Sequence, residues 1–346
     1  MIDTVKFKTT VDEDVFKAIR ERSVETVKKD HINKTQVLKY MTTEIEFNTH
    51  EPAIKVTAYD EDNRFVHIEF SLPKLCYGEN VHLLYPNQVT PALEYLTSKL
   101  VGRFPTFPSY EKWELVRLDP CYAWRFPTQE YAQAVWEMTT LLKYPRKNKH
   151  VYDTTVMWGT KKSSVKFYLK EPEFLKHDYK KLVKADFIEK AENTLSLSHG
   201  VLRFEISIRA QQLKDWFEKE HLTYKDLLDA DLLLMRLNYA LDKVLQNRTP
   251  ISMDDAMLMH KLEAKCGKRK GTRLFTFYKS YFSPDPHMRI MLEEQYNHST
   301  IWRNLRDISE AEVGIVCNLV DFEFNLFIPS DLVVNTETTA PGLAWC

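Results

Sequence analysis

The sequence predicts an α+β fold, in which an N-terminal antiparallel sheet with helices on one face precedes a mainly helical C-terminal part. Two observations predict this class. In the first 210 residues, many short stretches alternate apolar and polar residues with a period of two, as do strands buried on one face. Beyond residue 210 the apolar residues recur at helical spacing instead.

The strand pattern occurs in eight stretches. In chain order they are TVKFKT, TTEIEFN, AIKVTAYD, FVHIEFSL, WELVRLDPCYAWRF, YDTTVMWG, SVKFYLK and VLRFEISIRA. Helical patterns lie between them, in DEDVFKAIRERSVETVKK, PNQVTPALEYLTSKLVGRF and PTQEYAQAVWEMTTLLKY. After the last of these strands, helices are predicted to about residue 318, and LVDFEFNLFIPSDLVV is predicted to be a final strand or extended arm.

The change of pattern also divides the chain into domains. We predict a sheet domain over residues 1–220 and a mainly helical domain over residues 221–346, with the boundary inside the interval 210–250 where the pattern changes.

Composition excludes several classes of protein. The five cysteines are odd in number and contain no C-x-x-C pair, which disfavours a disulfide framework or a zinc ribbon and favours reduced thiols. Neither G-x-x-x-x-G-K nor G-x-G-x-x-G occurs, so no phosphate-binding loop is expected. Charged residues begin at position 3 and no run of 18 apolar residues exists, so we expect a soluble, intracellular protein without a membrane span.

Strand phase assigns polar side chains to a shared side of the sheet. In SVKFYLK, Lys166, Tyr168 and Lys170 alternate with apolar residues, and in VLRFEISIRA, Arg203 and Glu205 do so. From phase alone, Tyr168 would be an ordinary, solvent-exposed strand residue.

Two further strands extend the pattern, because His67 and Glu69 oppose apolar residues in FVHIEF, and Arg117 and Asp119 do so in LVRLDP. If these strands are neighbours, three carboxylates meet on one face with cations around them. Such a group suits a hard divalent cation, Mg²⁺ or Mn²⁺, which could support phosphoryl transfer. Cations would also favour a tyrosine phenolate as nucleophile. The alternative is a solvated sheet face with ordinary cross-strand ion pairs.

The same stretches resemble a known family, the rolling-circle replication initiators, and specifically the gene II/X proteins of filamentous phages. The resemblance lies, in order, in MIDTVKF, VHIEFSLPKLCYGENVHLL, VRLDPCYAWRFPTQEYAQAV, TVMWGTKKSSVKFYLKEPE, GVLRFEISIRAQQLKDW, TRLFTFYKSYF and STIWRNLRDISEAEVGI. The chain more distantly resembles the initiators of staphylococcal rolling-circle plasmids, with which it shares R-x-D, Y-x-K and R-x-E elements in the same order.

This resemblance implies an enzyme that nicks one DNA strand at a double-strand origin through a phosphotyrosyl intermediate and later rejoins it. The nucleophile would be Tyr168, with Lys170 and Arg203 as phosphate or phenolate partners and the nicking activity in residues 1–220. No His-hydrophobic-His triplet occurs, so the metal centre is expected to be carboxylate-based, with His67 as an extra ligand or general base. The implied metal ligands are Glu69, Asp119 and Glu205.

Two basic stretches are candidates for DNA binding, one between residues 143 and 170 and one between residues 268 and 273. The candidate DNA-binding residues are Arg117, Lys161, Lys162, Lys166, Lys268, Arg269, Lys270, Arg273, Trp302 and Arg303. MLEEQYNHSTIWRNLRDISEAEVGI could form a helix-turn-helix with Ser299 or Thr300 as the N-cap. A solvated loop or helix face remains the alternative for each basic stretch.

The resemblance further implies origin DNA, single-stranded near the nick, together with a host helicase and polymerase as partners, a possible homodimer, no membrane, and a location in the cytoplasm of a bacterial host. Two other functions stay open. The chain could be a non-catalytic origin-binding or regulatory replication protein, or a tyrosine nuclease of the relaxase or transposase type.

Overall fold

The computed structural model describes residues 1–21, 24–29, 36–45, 54–59, 64–140, 142–160, 162–245, 255–281 and 286–311. Within these residues the strands are β1 Ile2–Thr10, β2 Val24–Lys29, β3 Gln36–Ile45, β4 Ile54–Tyr59, β5 Phe65–Ser71, β6 Glu114–Arg125, β7 Asn148–Val151, β8 Thr155–Gly159, β9 Ser163–Leu169 and β10 Val201–Arg209. The predicted final strand in LVDFEFNLFIPSDLVV lies outside the described residues.

The described α-helices are α1 Glu13–Glu21, α2 Leu72–Tyr77, α3 Val89–Arg103, α4 Gln129–Thr139, α5 Lys170–Phe174, α6 Lys180–Lys184, α7 Ile188–Ser198, α8 Ala210–Phe217, α9 Ala230–Leu245, α10 Asp255–Cys266, α11 Lys268–Tyr281, α12 Pro286–Gln295 and α13 His298–Glu310. None of them is long and apolar enough to cross a membrane. The helix predicted over DEDVFKAIRERSVETVKK is confirmed in its first part, which forms α1. It is wrong in its last part, because VETVKK forms strand β2 and pairs with β3.

The described strands form one sheet in the order β2-β3-β4-β5-β1-β6-β10-β9-β8-β7. From β2 to β8 in this order, every pair of neighbouring strands is antiparallel. With the helices that follow, this arrangement confirms the predicted α+β class. Three of the strands that carry the predicted site, β6, β10 and β9, are direct neighbours, whereas β1 separates β5 from β6.

The apolar face of the sheet is buried as the alternation predicts. Phe167 of β9 and Phe204 of β10 are cross-strand partners with ring centroids 4.8 Å apart, and the ring of Trp124 on β6 stacks on Phe167 at 6.3 Å. All three are almost fully buried. Since successive side chains of a strand point to opposite faces, this packing determines which side chains remain for the opposite face.

The described residues fall into two compact units. The first takes in residues 1–133 and 150–239, and the second takes in residues 134–149 and 240–311. The second unit has its own apolar core, to which α10 to α13 contribute. In that unit Gly271 of α11 lies against α10, since a Cβ there would stand 2.6 Å from the Glu263 Cα. The predicted domain boundary between residues 220 and 221 remains a prediction.

Candidate active site

The polar face of the sheet gathers seven charged residues and one tyrosine from five strands. We call this set the site face, and its members are Lys6, Glu69, Arg117, Asp119, Lys166, Tyr168, Arg203 and Glu205. Cross-strand pairing brings them together, because Arg203 is opposite Tyr168, Glu205 is opposite Lys166, and Lys6 is opposite both Glu69 and Arg117. The strands that the phase argument needed as neighbours therefore do lie in one sheet.

Tyr168 lies near the end of β9 and is only 4% exposed. Its hydroxyl donates a hydrogen bond of 3.0 Å to Glu205 Oε2. Burial and then the Glu205 charge raise the pKa of Tyr168 well above its ordinary value. The expectation from strand phase that Tyr168 is exposed is wrong, because a second layer of chain lies over this end of the site face.

That layer is the covering loop, residues 78–85, between α2 and α3. Arg203, which is fully buried, donates to the backbone oxygens of Asn80 at 2.5 Å and Val81 at 2.6 Å. Lys170 begins α5 and is also fully buried, and its Nζ donates to Asn80 Oδ1 at 2.7 Å and to Glu173 at 2.5 Å. Burial, then the Arg203 charge, lower the pKa of Lys170.

The three predicted metal ligands are all held by neighbouring donors. Glu205 Oε1 pairs with Lys166 at 2.9 Å, and its other oxygen accepts from the tyrosine hydroxyl. Asp119 accepts two bonds from Arg117, at 2.9 and 2.5 Å. Glu69 accepts from Arg117 at 2.8 Å and pairs with Lys6 at 3.3 Å. Each of the six carboxylate oxygens therefore faces a cation or a phenol.

Asp119 and Glu205 are the two most buried carboxylates of the site face, 1% and 3% exposed. Burial first, and the Glu205 charge in addition, raise the pKa of Asp119 to about 6, although the hydrogen bond from Arg117 lowers it. Two buried carboxylates close to one another provide the oxygen donors that a hard divalent cation neutralises. Their chemistry therefore fits Mg²⁺ or Mn²⁺, although the described residues contain no group of three His, Cys, Asp or Glu side chains placed to hold a metal.

Glu69 and His67 lie farther along the sheet. Their strand, β5, is four strand spacings from β9 in the sheet order, which corresponds to about 19 Å. His67 is half-buried opposite Lys8 and Thr57, and its ring lies 5.7 Å from that of Phe65. Tyr168, Glu205 and Asp119 therefore form a compact group on three adjacent strands, and Glu69 is connected to it through Arg117.

The candidate DNA-binding residues divide between the two compact units. In the first unit, Arg117 and Lys166 belong to the site face, with side chains 23% and 32% exposed. Lys162 is exposed between β8 and β9, whereas Lys161 lies outside the described residues.

The second unit carries the other basic residues at the start of α11 and on α13. The exposed ones are Lys268, Arg269, Lys270, Arg273 and Arg303. Lys270 pairs with Asp307 at 2.7 Å. The backbone of Trp302 lies in α13, and its side chain is outside what the structure describes. The predicted N-cap is wrong, because Asn297 Oδ1 accepts the bond from the Thr300 amide.

Several residues near the site were not predicted. Lys6 has the phase of the site face in TVKFKT, so alternation could have found it. Asp3 lies where the register between β1 and β6 shifts, and Arg203 and Lys170 lower its pKa against the effect of burial. The covering loop contributes Asn80 and Val81. No periodic pattern in the sequence could have predicted that this loop packs over the site face.

One known protein family matches about two-thirds of the chain. Residues 1–227 match the family described as the gene II replication-associated protein, N-terminal, a family of phage proteins. The chain belongs to this family. The match confirms the predicted resemblance to gene II-type initiators, and the matched region of the replication-associated family contains the whole site face. Family membership supports a role in phage DNA replication of the rolling-circle type, with DNA as the partner. The search among curated proteins found no match to the chain.

Proposed function

We propose that the protein starts rolling-circle replication by nicking one strand of origin DNA with Tyr168 and that it later rejoins the strand. The observation that carries this proposal is the hydrogen bond from the Tyr168 hydroxyl to Glu205, beside Lys166 and Asp119. It combines a nucleophile, a proton acceptor and a cation within a region that matches a replication family.

In the proposed reaction the Tyr168 oxygen attacks a backbone phosphorus while Glu205 accepts the phenol proton. The bond from phosphorus to the 3′ oxygen breaks, so the products are a 3′-hydroxyl end and a 5′-phosphotyrosyl link. Attack by that hydroxyl on the link reverses the reaction and rejoins the strand, without a nucleotide cofactor. Lys166 and Arg117 have partly exposed side chains and would bind the phosphate oxygens.

The resting site restrains this chemistry. Tyr168 is buried and its pKa is raised, so the phenol stays protonated until the surroundings change. A DNA phosphate that draws Lys166 and Arg117 towards itself would leave Glu205 and Asp119 without their cations. These two carboxylates would then hold Mg²⁺ or Mn²⁺, which would supply Lewis-acid stabilisation of the phosphate charge. On this proposal Glu69 would orient Arg117, and His67 would lie outside the reacting group.

The remaining parts of the proposal follow from the reaction. The new 3′-hydroxyl would prime a host polymerase, and a host helicase would open the duplex, in the cytoplasm of a bacterial host. Basic residues of α11, and Arg303, would contact phosphates elsewhere on the DNA. A homodimer is compatible with this reaction and is not required by it.

The experiment incubates the protein with Mg²⁺ and supercoiled DNA that carries the replication origin of the genome encoding the chain. We expect open circles with protein attached to a 5′ end, none of either with Tyr168→Phe, and none when EDTA removes the metal. Tyr122→Phe is the matched control, because Tyr122 is also buried but lies on the apolar face, paired with Phe204. A covalent adduct formed by Tyr168→Phe would disprove the nucleophile assignment.

One alternative function has an observation in its favour. The site face is internally neutralised and its tyrosine is covered, which would also suit a replication protein that binds the origin without cutting it. Wild-type protein that binds origin DNA tightly yet produces no nick in Mg²⁺ or Mn²⁺ would support this alternative.

A further inference from the structure

The covering loop contains a histidine oriented by a buried carboxylate. Glu79 is 4% exposed, and its Oε1 contacts His82 Nδ1. Its other oxygen accepts from the backbone amides of Val81 and His82. The imidazole also lies against the Tyr77 ring, with centroids 5.4 Å apart. The carboxylate therefore holds Nδ1, which leaves Nε2 as the nitrogen able to react.

This Glu79–His82 pair is attached to the candidate active site. Val81, the residue before His82, accepts the hydrogen bond from Arg203, and Arg203 is the cross-strand partner of Tyr168. The charges of Arg125 and Arg203 both act on His82. The imidazole therefore lies within the electrostatic range of the buried Arg203 guanidinium. Half of the His82 side chain is exposed, and a DNA strand could therefore reach it.

We propose that His82, oriented by Glu79, is the general acid that protonates the 3′ oxygen as Tyr168 displaces it. This inference rests on the proposed nicking function and deepens it, because Glu205 accounts for the proton that leaves the tyrosine but not for the proton that the 3′ oxygen must gain.

The step balances. The bond from phosphorus to the Tyr168 oxygen forms while the bond from phosphorus to the 3′ oxygen breaks. The phenol proton passes to Glu205, and the proton of His82 Nε2 passes to the departing oxygen. In rejoining, neutral His82 takes the proton back from the 3′-hydroxyl as its oxygen attacks phosphorus, the bond from phosphorus to the Tyr168 oxygen breaks, and Glu205 returns its proton to that oxygen. The hydrogen bond to Glu79 raises the pKa of His82 above its ordinary value, although burial and the two arginines act to lower it.

Glu171 and His199 form a second close carboxylate–histidine contact, at 2.8 Å. The side chains of that pair form no hydrogen bond with those of Arg203 or Lys170, and the Glu171 carboxylate is more exposed than that of Glu79. His199→Ala is therefore a matched control, since it removes an imidazole with a carboxylate partner from a different part of the same compact unit.

The test uses two oligonucleotide substrates built around the mapped nick site. One has the natural 3′ oxygen, and in the other sulfur replaces that bridging oxygen. A thiolate leaves without being protonated, so the sulfur substrate needs no general acid. We expect His82→Ala to slow cleavage of the oxygen substrate by about 100-fold or more, yet to cleave the sulfur substrate at close to the wild-type rate. Glu79→Gln should show a smaller loss with the same rescue, and His199→Ala should show neither.

The outcomes separate the two proposals. Equal losses on both substrates for His82→Ala and Glu79→Gln would mean that the pair only supports the loop, which overturns the general-acid role while the Tyr168 adduct still forms. Wild-type protein that forms no Tyr168 adduct on either substrate overturns the nicking function, and the general-acid role with it.

Discussion

At the scale of single residues, opposite charges neutralise each other across the site face. Arg117 bridges Glu69 and Asp119, and Lys166 pairs with Glu205. Because Asp119 and Glu205 are almost fully buried, removing one cation would leave a carboxylate uncompensated, which costs more than the pair itself contributes. The cations that would bind a phosphate therefore also compensate these buried carboxylates in the protein without DNA.

The Glu79–His82 pair predicts a pH dependence of stability. The hydrogen bond to Glu79 raises the pKa of His82, so its stabilising effect is complete below the ordinary value of 6.5 and is lost as pH rises through the raised pKa. Burial alone would raise the pKa of Glu79, but its bonds to His82 and to backbone amides lower it below 4.5. This contribution is present above 4.5 and is lost as pH falls through the lowered pKa.

The pair should therefore stabilise the protein most between about pH 4.5 and 6.5. Urea unfolding of wild type and His82→Gln should differ by less than about 1 kcal/mol in that interval, since solvent screens the imidazole. The difference should shrink as the pH rises through the raised pKa of His82. A difference in unfolding free energy that grows with pH would contradict the raised pKa of His82. The charged neighbours that also act on the imidazole are Arg125 and Arg203.

At the scale of elements, the turn into β10 determines where Arg203 and Glu205 lie. Gly200 precedes β10 with φ +68°, its carbonyl accepts from the Phe126 amide, and its own amide donates to the Gln129 side chain. A Cβ at this position would lie 2.5 Å from the Phe126 oxygen. The position therefore requires glycine both for its backbone conformation and for its space.

We expect Gly200→Ala to lower the free energy of unfolding by at least about 1–2 kcal/mol, the cost of a left-handed conformation alone, and to reduce nicking with it. Gly102→Ala is the matched control, because Gly102 lies in α3 and a Cβ there meets nothing within 4 Å. That control should be neutral or stabilising by up to about 1 kcal/mol. Thermal unfolding of the two variants measures the difference, and equal effects would contradict a special role for Gly200.

At the scale of the whole molecule, a net charge of −1 conceals strong local clustering. The first turn of α11 contains Lys268, Arg269 and Lys270 without an acidic residue. Cations at a helix N-terminus oppose the helix dipole. A local arrangement that is unfavourable for the isolated helix is expected where a binding partner compensates for it, and under the proposed function that partner would be the DNA phosphates.

The double variant Lys268→Gln with Arg269→Gln should therefore weaken binding to origin DNA and make it less dependent on salt. If both residues contact phosphates, the slope of log K against log salt should fall by about 1.8, since each contact contributes about 0.9. Lys17→Gln with Lys112→Gln removes the same charge from exposed positions elsewhere and should leave the slope unchanged. Equal slopes for both double variants would show that α11 does not contact the DNA.

Part of the fold and site could be predicted because the relevant patterns are local. Period-two alternation located most strands and correctly put Tyr168, Lys166 and Glu205 on one face. The helix predicted through Val24–Lys29 was wrong, because this segment pairs with β3 as a strand. The roles assigned to Tyr168 and to the carboxylates depend on the family resemblance and remain predictions.

By itself, the sequence determined which face of its strand each side chain occupies, because alternation is a property of the local backbone. Only the tertiary structure decided which strands are neighbours and what lies above them. Asn80 and Lys170 are 90 residues apart in sequence, yet their hydrogen bond places the covering loop over the end of the site face where Tyr168 lies. Contacts over such distances depend on how all the elements pack together, and for that reason the burial of Tyr168 and the position of His82 emerged only from the fold.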